Sequence, residues 1–535
     1  MLSKKVDQVL KPVYKQRPVV IFLRALNILI SIVPPLLTSR LINIFGYYGG
    51  EGAARYIALI ALSIIAYFFI NWLQDYHWYK MEYIGMGMVR AFIFSNVVHK
   101  NYLFLQGTSL GDVENKVIHD AGIYAQARLS HTSSLILNIL HITVVAVVLF
   151  YMNFVMTLAA MAFFFVFFFA YKLVNKGLRR TSLKEREGYG DMLVSAHEIL
   201  AGVNTIQLYG KEEFFAHRFE KNVDKYEHFL INLQKWKGLT HAATGSLVWF
   251  MPLVAVAIGF WFYHSPMANM DVGDIAAFYF FLPNLTAPIK SLTEFNISVQ
   301  NSKVVESRLS DLLIDEPTLT ENLTEINKIN KLEFSNICYK YDNKHEVLHN
   351  LNFSVSSGDA LAVVGPSGTG KTTFLRMLKR QLEPSWGKIL INGVSHHDVD
   401  EKSYINRIAV LTQEVFVFDD TVQENINFGQ DLPVEKVAKM ADMAALGYLN
   451  LQELAINLST GEKQRMGLAR ALACEYDILI LDEPTAELDF DTETQIIENL
   501  KLIQKETNCI LIIITHSDNI LQNLCNQKLV LSKPL

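Results

Sequence analysis

Six apolar stretches dominate the first 300 residues. They lie near 18–45, 56–79, 132–152, 154–174, 241–264 and 275–298. Each is long enough to cross the hydrocarbon core of a bilayer, about 30 Å thick, which takes about 20 helical residues. Lipid offers no partner to a backbone N–H or C=O, so such runs must fold as helices that satisfy their own polar groups. The clearest is Phe154–Tyr171, where Thr157 is the one residue that is not apolar. Length and repetition together exclude buried helices of a soluble protein.

From about Lys331 to Leu535 the pattern changes to short apolar strands alternating with helical segments. The chain therefore divides into an all-α transmembrane domain of six helices with cytoplasmic extensions at 1–315 and a soluble α/β domain at 331–535. This split explains a composition of 51 % hydrophobic and 19 % charged residues, where a soluble chain carries about 25 % charged. With 11 % aromatic residues the chain is not disordered. A net charge of −5 gives no basic footprint for nucleic acid. Cys338, Cys474, Cys509 and Cys525 contain no CxxC pair and all fall in the soluble part. They read as small hydrophobes of a domain in a reducing compartment, not as a disulfide framework.

The orientation follows from charge. Residues 1–17 carry Lys4, Lys5, Lys11, Lys15 and Arg17, and no small-residue cleavage site follows the first apolar run. A cleaved signal is not expected, and the basic segment should stay in the cytoplasm. The expected outer loops, Tyr47–Ala54, Met152–Asn153 and His264–Asp274, are short and hold Glu51, Asp271 and Asp274, with Arg55 bordering the first. The expected inner connections are long and basic. The first, 80–131, holds Lys80, Arg90, Lys100, Lys116 and Arg128; the second, 172–240, holds Lys172, Lys176, Arg179, Arg180 and Lys184. Apolar residues recur through both at helical spacing. A structureless loop of that length would be unusual, so the spans should continue far into the cytoplasm as helices. Pro34 and Pro35 should kink the first span, and Pro252, Pro283 and Pro288 should interrupt the last two or their link.

The soluble part carries phosphate chemistry. Gly365-Pro366-Ser367-Gly368-Thr369-Gly370-Lys371-Thr372 fits GxxxxGK[ST], follows the apolar strand Ala360–Val364 and opens a helix at Thr373. The glycines let backbone N–H groups wrap phosphates, and the helix start adds its positive dipole end. Lys371 should reach the β- and γ-phosphates of ATP, and Thr372 should hold Mg²⁺. The strand Ile478–Leu481 ends in Asp482 and Glu483. Asp482 stands where a carboxylate can complete the Mg²⁺ shell, and Glu483 where one can orient or deprotonate an attacking water.

Between these motifs lies Leu458-Ser459-Thr460-Gly461-Glu462, followed by Lys463-Gln464-Arg465. It resembles the LSGGQ signature of ABC ATPases. Six spans ahead of such a domain resemble a half-size ABC exporter of the type I fold, over nearly the whole chain. The resemblance implies further roles. Tyr341, with Tyr339 as its rival, is similar to the aromatic that stacks on adenine. Gln413, after the strand Ile408–Leu411, resembles the glutamine that touches Mg²⁺ and the water. Ala486-Glu487-Leu488-Asp489 resembles the D-loop, and His516 the switch histidine at the γ-phosphate. Gly365, Ser367, Gly368, Gly370, Lys371, Thr372 and Thr373 would hold the nucleotide, and Thr372, Gln413 and Asp482 the metal. Ser459, Gly461 and Asp489 would complete the nucleotide site. Ser109-Leu110-Gly111-Asp112 resembles the segment after the first coupling helix. Gly202–Gln207 with Gly210–Glu213 resembles the second.

In this family the signature closes over the ATP of a partner chain, so the resemblance implies a dimer. The partner is a second copy, or else a related half-transporter. ATP closes the nucleotide domains, and hydrolysis through Glu483 resets them.

Three departures stand out. Thr460 and Glu462 replace a glycine and the glutamine of the signature. The stretch from Gly429 to Leu458 is short, with no recognisable TEVGERG-like motif in Leu446–Asn457. About twenty residues follow His516, so the family's C-terminal elements are expected to be trimmed.

The expected location is the cytoplasmic membrane, with the ATPase domain in the cytoplasm. No peptidase domain precedes the first span, so leader cleavage by this chain is not expected. The cargo reads as a peptide, with lipids and hydrophobic drugs as alternatives. A membrane-bound sensory ATPase without cargo is the reading from another class. Arg24, Asn27, Asn71, Asn138, His141 and Lys290, within the spans, are either substrate contacts or interhelical partners.

Overall fold

The computed structural model describes residues 2–48, 52–100, 104, 107–263, 271–313, 323–341, 346–486 and 488–532. Residues 49–51 and 264–270, from two expected outer loops, therefore lie outside the described residues, as does Glu487 of the D-loop segment. The chain forms two compact units, one of residues 1–100 and 108–315, the other of residues 316–535 with the segment 101–107.

Among the described residues, every regular element of the first unit is helical. A short helix α1 (Leu2–Val9) precedes α2 (Arg17–Tyr48) and α3 (Ala53–Val98). Next come a six-residue helix α4 (Leu110–Asn115), α5 (Ala121–Met152) and α6 (Phe154–Ala201). A second six-residue helix α7 (Val203–Leu208), α8 (Glu212–Tyr263), α9 (Val272–Asn284) and α10 (Thr286–Ser310) complete it. Among the described residues, four segments have the length and apolarity of a span: Lys11–Phe45, Ala53–Val98, Ser133–Met152 and Val272–Ile289. The expected spans 154–174 and 241–264 lie on the continuous helices α6 and α8. The side chains of 163–176 and of most of 241–248 are outside the described residues.

Helices α3, α6 and α8 run for 46, 48 and 52 residues. At 1.5 Å per residue these are about 70–80 Å long, more than twice the hydrocarbon thickness. The long connections expected between spans are thus helical extensions interrupted by α4 and α7. Proline acts unevenly. Helix α2 continues through Pro34 and Pro35, and α8 through Pro252. The last apolar run instead breaks at Leu285, between Pro283 and Pro288, so the expected span 275–298 is two helices, α9 and α10.

Packing inside this unit joins Ile32, Val145, Leu149, Met156, Met251, Ile275, Phe278 and Phe281, contributed by α2, α5, α6, α8 and α9. Outward from α3 point Leu62, Phe68, Phe69 and Trp72, each at least 59 % exposed. A surface of this kind suits hydrocarbon, not water. At the start of α9, Asp271 and Asp274 form a capping box. Asn43 of α2 accepts from the Gly273 N–H at 2.8 Å and donates to Asp271 at 3.3 Å. A Cβ at Gly273 would stand 2.2 Å from the Ser39 carbonyl oxygen, so only glycine lets α2 and α9 approach this closely.

The second unit has two sheets. An antiparallel sheet has the order β2-β1-β4-β5, from β1 (Lys331–Lys340), β2 (Glu346–Ser356), β4 (Trp386–Ile391) and β5 (Val394–Ser395). A parallel sheet has the order β6-β7-β8-β3-β9. Its strands are β3 (Ala360–Val364), β6 (Ile408–Leu411), β7 (Ile478–Asp482), β8 (Ile510–Ile514) and β9 (Gln527–Val530). Its central strands are apolar along their length because both faces are covered. The period of two shows which face is which. Leu479, Leu481, Leu511 and Ile513 enter one core. Ile478, Ile480, Ile510, Ile512 and Ile514 enter the other, with Phe334 and Phe374. Helix α11 (Lys371–Leu378) covers the second face. The first face packs against α13 (Val422–Asn427), α14 (Val434–Met443), α15 (Thr460–Ala473) and α16 (Phe490–Thr507), with α12 (Glu401–Ile405) preceding β6.

Candidate nucleotide site

In an open parallel sheet, ligands bind beyond the carboxyl ends of the strands. Four adjacent strands deliver the candidate residues to that edge: β6 leads to Gln413, β7 ends in Asp482 and leads to Glu483, β8 leads to His516, and β3 leads to Gly365–Gly370. The phosphate loop turns into α11 through Gly368 at φ +80° and Gly370 at φ +92°. A Cβ on Gly370 would stand 2.8 Å from Leu348, and one on Gly365 would stand 2.5 Å from the Leu531 carbonyl oxygen. Glycine is thus required here by conformation and by space. Ser367 and Thr372 are exposed, whereas Thr373 is buried.

Lys371 Nζ donates to His516 Nε2 at 2.7 Å, which brings the loop lysine and the histidine after β8 together. Asp482 lies in the field of Lys371 and of Lys379, a cation at the end of α11 that the sequence reading passed over. Burial, and then the neighbouring Glu483 charge, hold the Asp482 carboxyl above its ordinary range against the two lysines. A cation placed there would relieve both causes. The oxygen donors of Thr372, Asp482 and Gln413 are the type that hard Mg²⁺ takes.

Glu483 has φ +50°, in the left-handed region. Such a residue costs of order 1–3 kcal/mol and persists where neighbours fix it. Here its N–H donates to the Ile514 carbonyl at 2.9 Å, and its carbonyl accepts from Gln464 Nε2 at 2.6 Å. Gln464 sits on α15, the signature helix, which thereby fixes the turn beside Asp482.

Tyr341 is 44 % exposed and Tyr339 is 8 % exposed. Their rings meet edge to face at 5.0 Å. Tyr339 belongs to the core, whereas the Tyr341 hydroxyl meets Thr373 Oγ1 at 3.2 Å and accepts from Arg376 at 3.0 Å, over the first turns of α11.

Ser459 caps α15 in a capping box. Its Oγ–H and its N–H both donate to Glu462 Oε2, at 2.7 and 2.9 Å. Tyr448 donates to Glu462 Oε1 at 2.8 Å and accepts from Arg465 at 2.9 Å. The Ser459 bond, then the backbone and Tyr448 bonds, hold the Glu462 carboxyl below its usual range. Glu462, a departure from the signature pattern, is therefore an organised part of this turn. Among the described residues no hydrogen bond joins Ser459 or Gly461 to the phosphate loop. Asp489 caps α16 through the Thr492 N–H at 2.9 Å.

Glu493 was not singled out by sequence reasoning. Its Oε1 accepts from Thr485 at 2.9 Å and from Ser517 at 2.8 Å. Thr485 follows Glu483 by two residues and Ser517 follows His516 by one, so a single carboxylate ties the two turns. A Thr-x-x-x-Asp-x-x-x-Glu spacing carries no distinctive chemistry, and only the fold shows the link.

In the first unit the polar residues pair with one another. Arg24 donates to Asn138 at 3.2 Å, and Asn138 to Ser291 at 2.7 Å. Asn27 donates to Asn71 at 2.8 Å and to Gln74 at 2.9 Å. The Lys290 side chain lies outside the described residues. Near the cytoplasmic segments Ser109 caps α4. Arg308 bridges Asp112 and Asp120, each at 3.1 Å. The turn around α7 exposes Leu208 and Tyr209, 85 and 75 % accessible.

With this geometry in hand, comparison with known proteins is informative. Residues 18–289 match the profile described as the ABC transporter transmembrane region, and residues 348–486 the one described as ABC transporter. An ATP-dependent lipid A-core flippase of Desulfotalea psychrophila is 28 % identical over 85 % of this chain and 82 % of its own. A Bacillus subtilis protein named "Putative multidrug export ATP-binding/permease protein YgaD" is 25 % identical over 97 % of this chain and 94 % of its own. The solved structure of a bacterial Atm1-family ABC exporter with ATP bound superposes with a TM-score of 0.83. It is 22 % identical and covers 97 % of this chain and 93 % of that one, which shows a shared fold.

Proposed function

Because this chain belongs to the ABC transporter family, matched across its transmembrane region and its ATPase domain, we propose that two copies of it form an exporter that moves an amphiphilic lipid or a hydrophobic drug. The activity is that of the family: ATP hydrolysis coupled to export across a membrane, with the ATPase domain in the cytoplasm.

The observation that carries the site assignment is the convergence of four strand ends, with Lys371, Gln413, Asp482, Glu483 and His516 at one edge. In our reading the loop N–H groups and Lys371 cradle the phosphates, and Tyr341 stacks on adenine. Arrival of the γ-phosphate draws Lys371 and His516 from each other onto its oxygens. Glu483 takes the proton of the attacking water, and Gln413 orients that water. Mg²⁺, held by Thr372, Asp482 and Gln413, would supply positive charge between the β- and γ-phosphates. Ser459 and Gly461, at a helix start with no hydrogen bond to their own phosphate loop among the described residues, serve the partner's ATP.

The cargo reading rests on a cavity of about 440 Å³ lined by Ser31, Pro34, Thr38, Ile60, Tyr67 and Phe280 among others, with no charged side chain. Its surface suits an apolar ligand with few hydrogen bonds. Peptide export, expected from sequence, draws no support from this lining. The flippase and multidrug-export names of the relatives point the same way.

Replacing Glu483 by Gln should abolish turnover and leave ATP binding intact. In proteoliposomes, wild type should move labelled lipid or dye with ATP, and Glu483→Gln should not. Native-rate hydrolysis by the variant would remove Glu483 as the base. Transport of labelled peptides alone would overturn the cargo reading.

A further inference from the structure

Away from the residues assigned to the nucleotide, the turn after β5 carries His396 and His397 in a 3-10 helix, His396–Asp398, facing Glu383. His396 Nε2 lies 2.5 Å from Glu383 Oε2, and His397 Nε2 lies 3.6 Å from the same oxygen. The two rings pack with centroids 3.9 Å apart. One donor atom from each of the three side chains falls within 4.8 Å of the other two. We propose that Glu383, His396 and His397 form a binding site for a transition-metal dication of the zinc class.

Two imidazoles and one carboxylate are the donors such ions prefer, whereas Mg²⁺ and Ca²⁺ take oxygen. With metal–ligand bonds near 2.0–2.1 Å, donors around a tetrahedral ion stand about 3.3 Å apart. The His397 to Glu383 separation is close to that. The His396 to Glu383 separation has to open by under an ångström, which the half-exposed Glu383 can supply by rotation. His396 is 4 % exposed and its Nδ1 is buried without a hydrogen-bond partner. Nε2 is hydrogen-bonded to Glu383, and with Nδ1 uncommitted the ring proton can move to Nδ1 when a metal ion takes Nε2. His397 and Glu383 are 63 and 50 % exposed, so the fourth position opens to water.

The backbone beneath is already ordered. Thr324 N–H donates to the Asp398 carbonyl at 2.7 Å, Asp400 N–H to the Thr324 carbonyl at 3.0 Å, and Arg380 to the Val399 carbonyl at 2.8 Å. An ion here would clamp the His396–Asp398 turn to the segment after α11 that carries Glu383.

The test is Zn²⁺ titration of the full-length, nucleotide-free chain in detergent with Mg²⁺ in excess, read by equilibrium dialysis with metal analysis and by thermal unfolding. Wild type should bind one Zn²⁺ per chain and melt at higher temperature with it. His397→Ala, at an exposed position that folding does not need, should weaken binding by about tenfold or more and lose the thermal shift. Glu383→Gln should do the same. Nucleotide binding should be unchanged in both. The proposal is overturned if wild type binds no Zn²⁺ or if both variants retain it. It also fails if the site is lost in His349→Ala, which would place the ion at the separate Cys338, Glu346 and His349 cluster.

Discussion

Glu493 shows how much one carboxylate can organise. It accepts from Thr485 and Ser517, and so links the turn after the proposed base to the turn after His516. Both bonds end on Oε1, which a glutamine amide oxygen could keep, so the informative variant is Glu493→Ala, which removes both. It should lower kcat for ATP by about tenfold, equivalent to about 1.4 kcal/mol, while nucleotide affinity stays within a factor of two; an equal loss of both would mark a merely structural role. Asp482 gives a pH prediction. Its carboxyl is held above the ordinary value by burial and by Glu483, so protons compete with the metal over the range upward from that value. The ionised form destabilises the metal-free fold as pH rises, and a bound cation reverses this. Apparent Mg²⁺ affinity, read from Mn²⁺ competition, should therefore rise with pH; a pH-independent affinity would contradict the assignment. The sequence made the phosphate loop and the acidic pair readable because each chemistry needs a fixed local spacing. The left-handed Glu483 and the Glu493 link arise between elements distant in sequence, so no local pattern announces them.

At the level of elements, apolar runs located the helices because lipid leaves the backbone no alternative. Rotation of each helix about its axis was not readable, and rotation decides which polar groups meet. Asn138 shows this: from α5 it joins Arg24 on α2 and Ser291 on α10. Interhelical hydrogen bonds in membranes average about 0.6 kcal/mol each and reach about 1.7. Asn138→Leu should thus cost about 1–2 kcal/mol, seen as a lower melting temperature of the full chain in detergent with ATP affinity unchanged. A melting temperature equal to wild type would show that the bonds are dispensable. The break at Leu285 was readable only as an interruption by Pro283 and Pro288, not as the point where one helix gives way to another. The short stretch before the signature has a comparable outcome. It closes through backbone bonds, Val422 N–H to the Glu453 carbonyl and Gln423 N–H to the Leu451 carbonyl, each 2.9 Å. A compact turn thus occupies the place of the motif that the sequence lacks.

At the scale of the whole molecule, the family fold implies a dimer, and Glu462 becomes a question about two chains. If the signature faces the partner's ATP, its carboxylate adds negative charge where phosphate must approach. Glu462→Gln retains one acceptor oxygen for the Ser459 cap, gives up the Tyr448 bond and removes that charge, so KM for ATP should fall severalfold. An unchanged KM would place Glu462 away from the partner's nucleotide. The three long helices have a mechanical meaning as well. A rod of about 70 Å that tilts by about 5° moves its far end by about 6 Å. In α3, α6 and α8 the backbone ladder is continuous over that length. Each therefore acts as a lever that enlarges a small rotation near one end into a displacement of molecular size at the other. Stiffness along these rods, more than any single contact, then sets how faithfully a tilt at one end is delivered to the other.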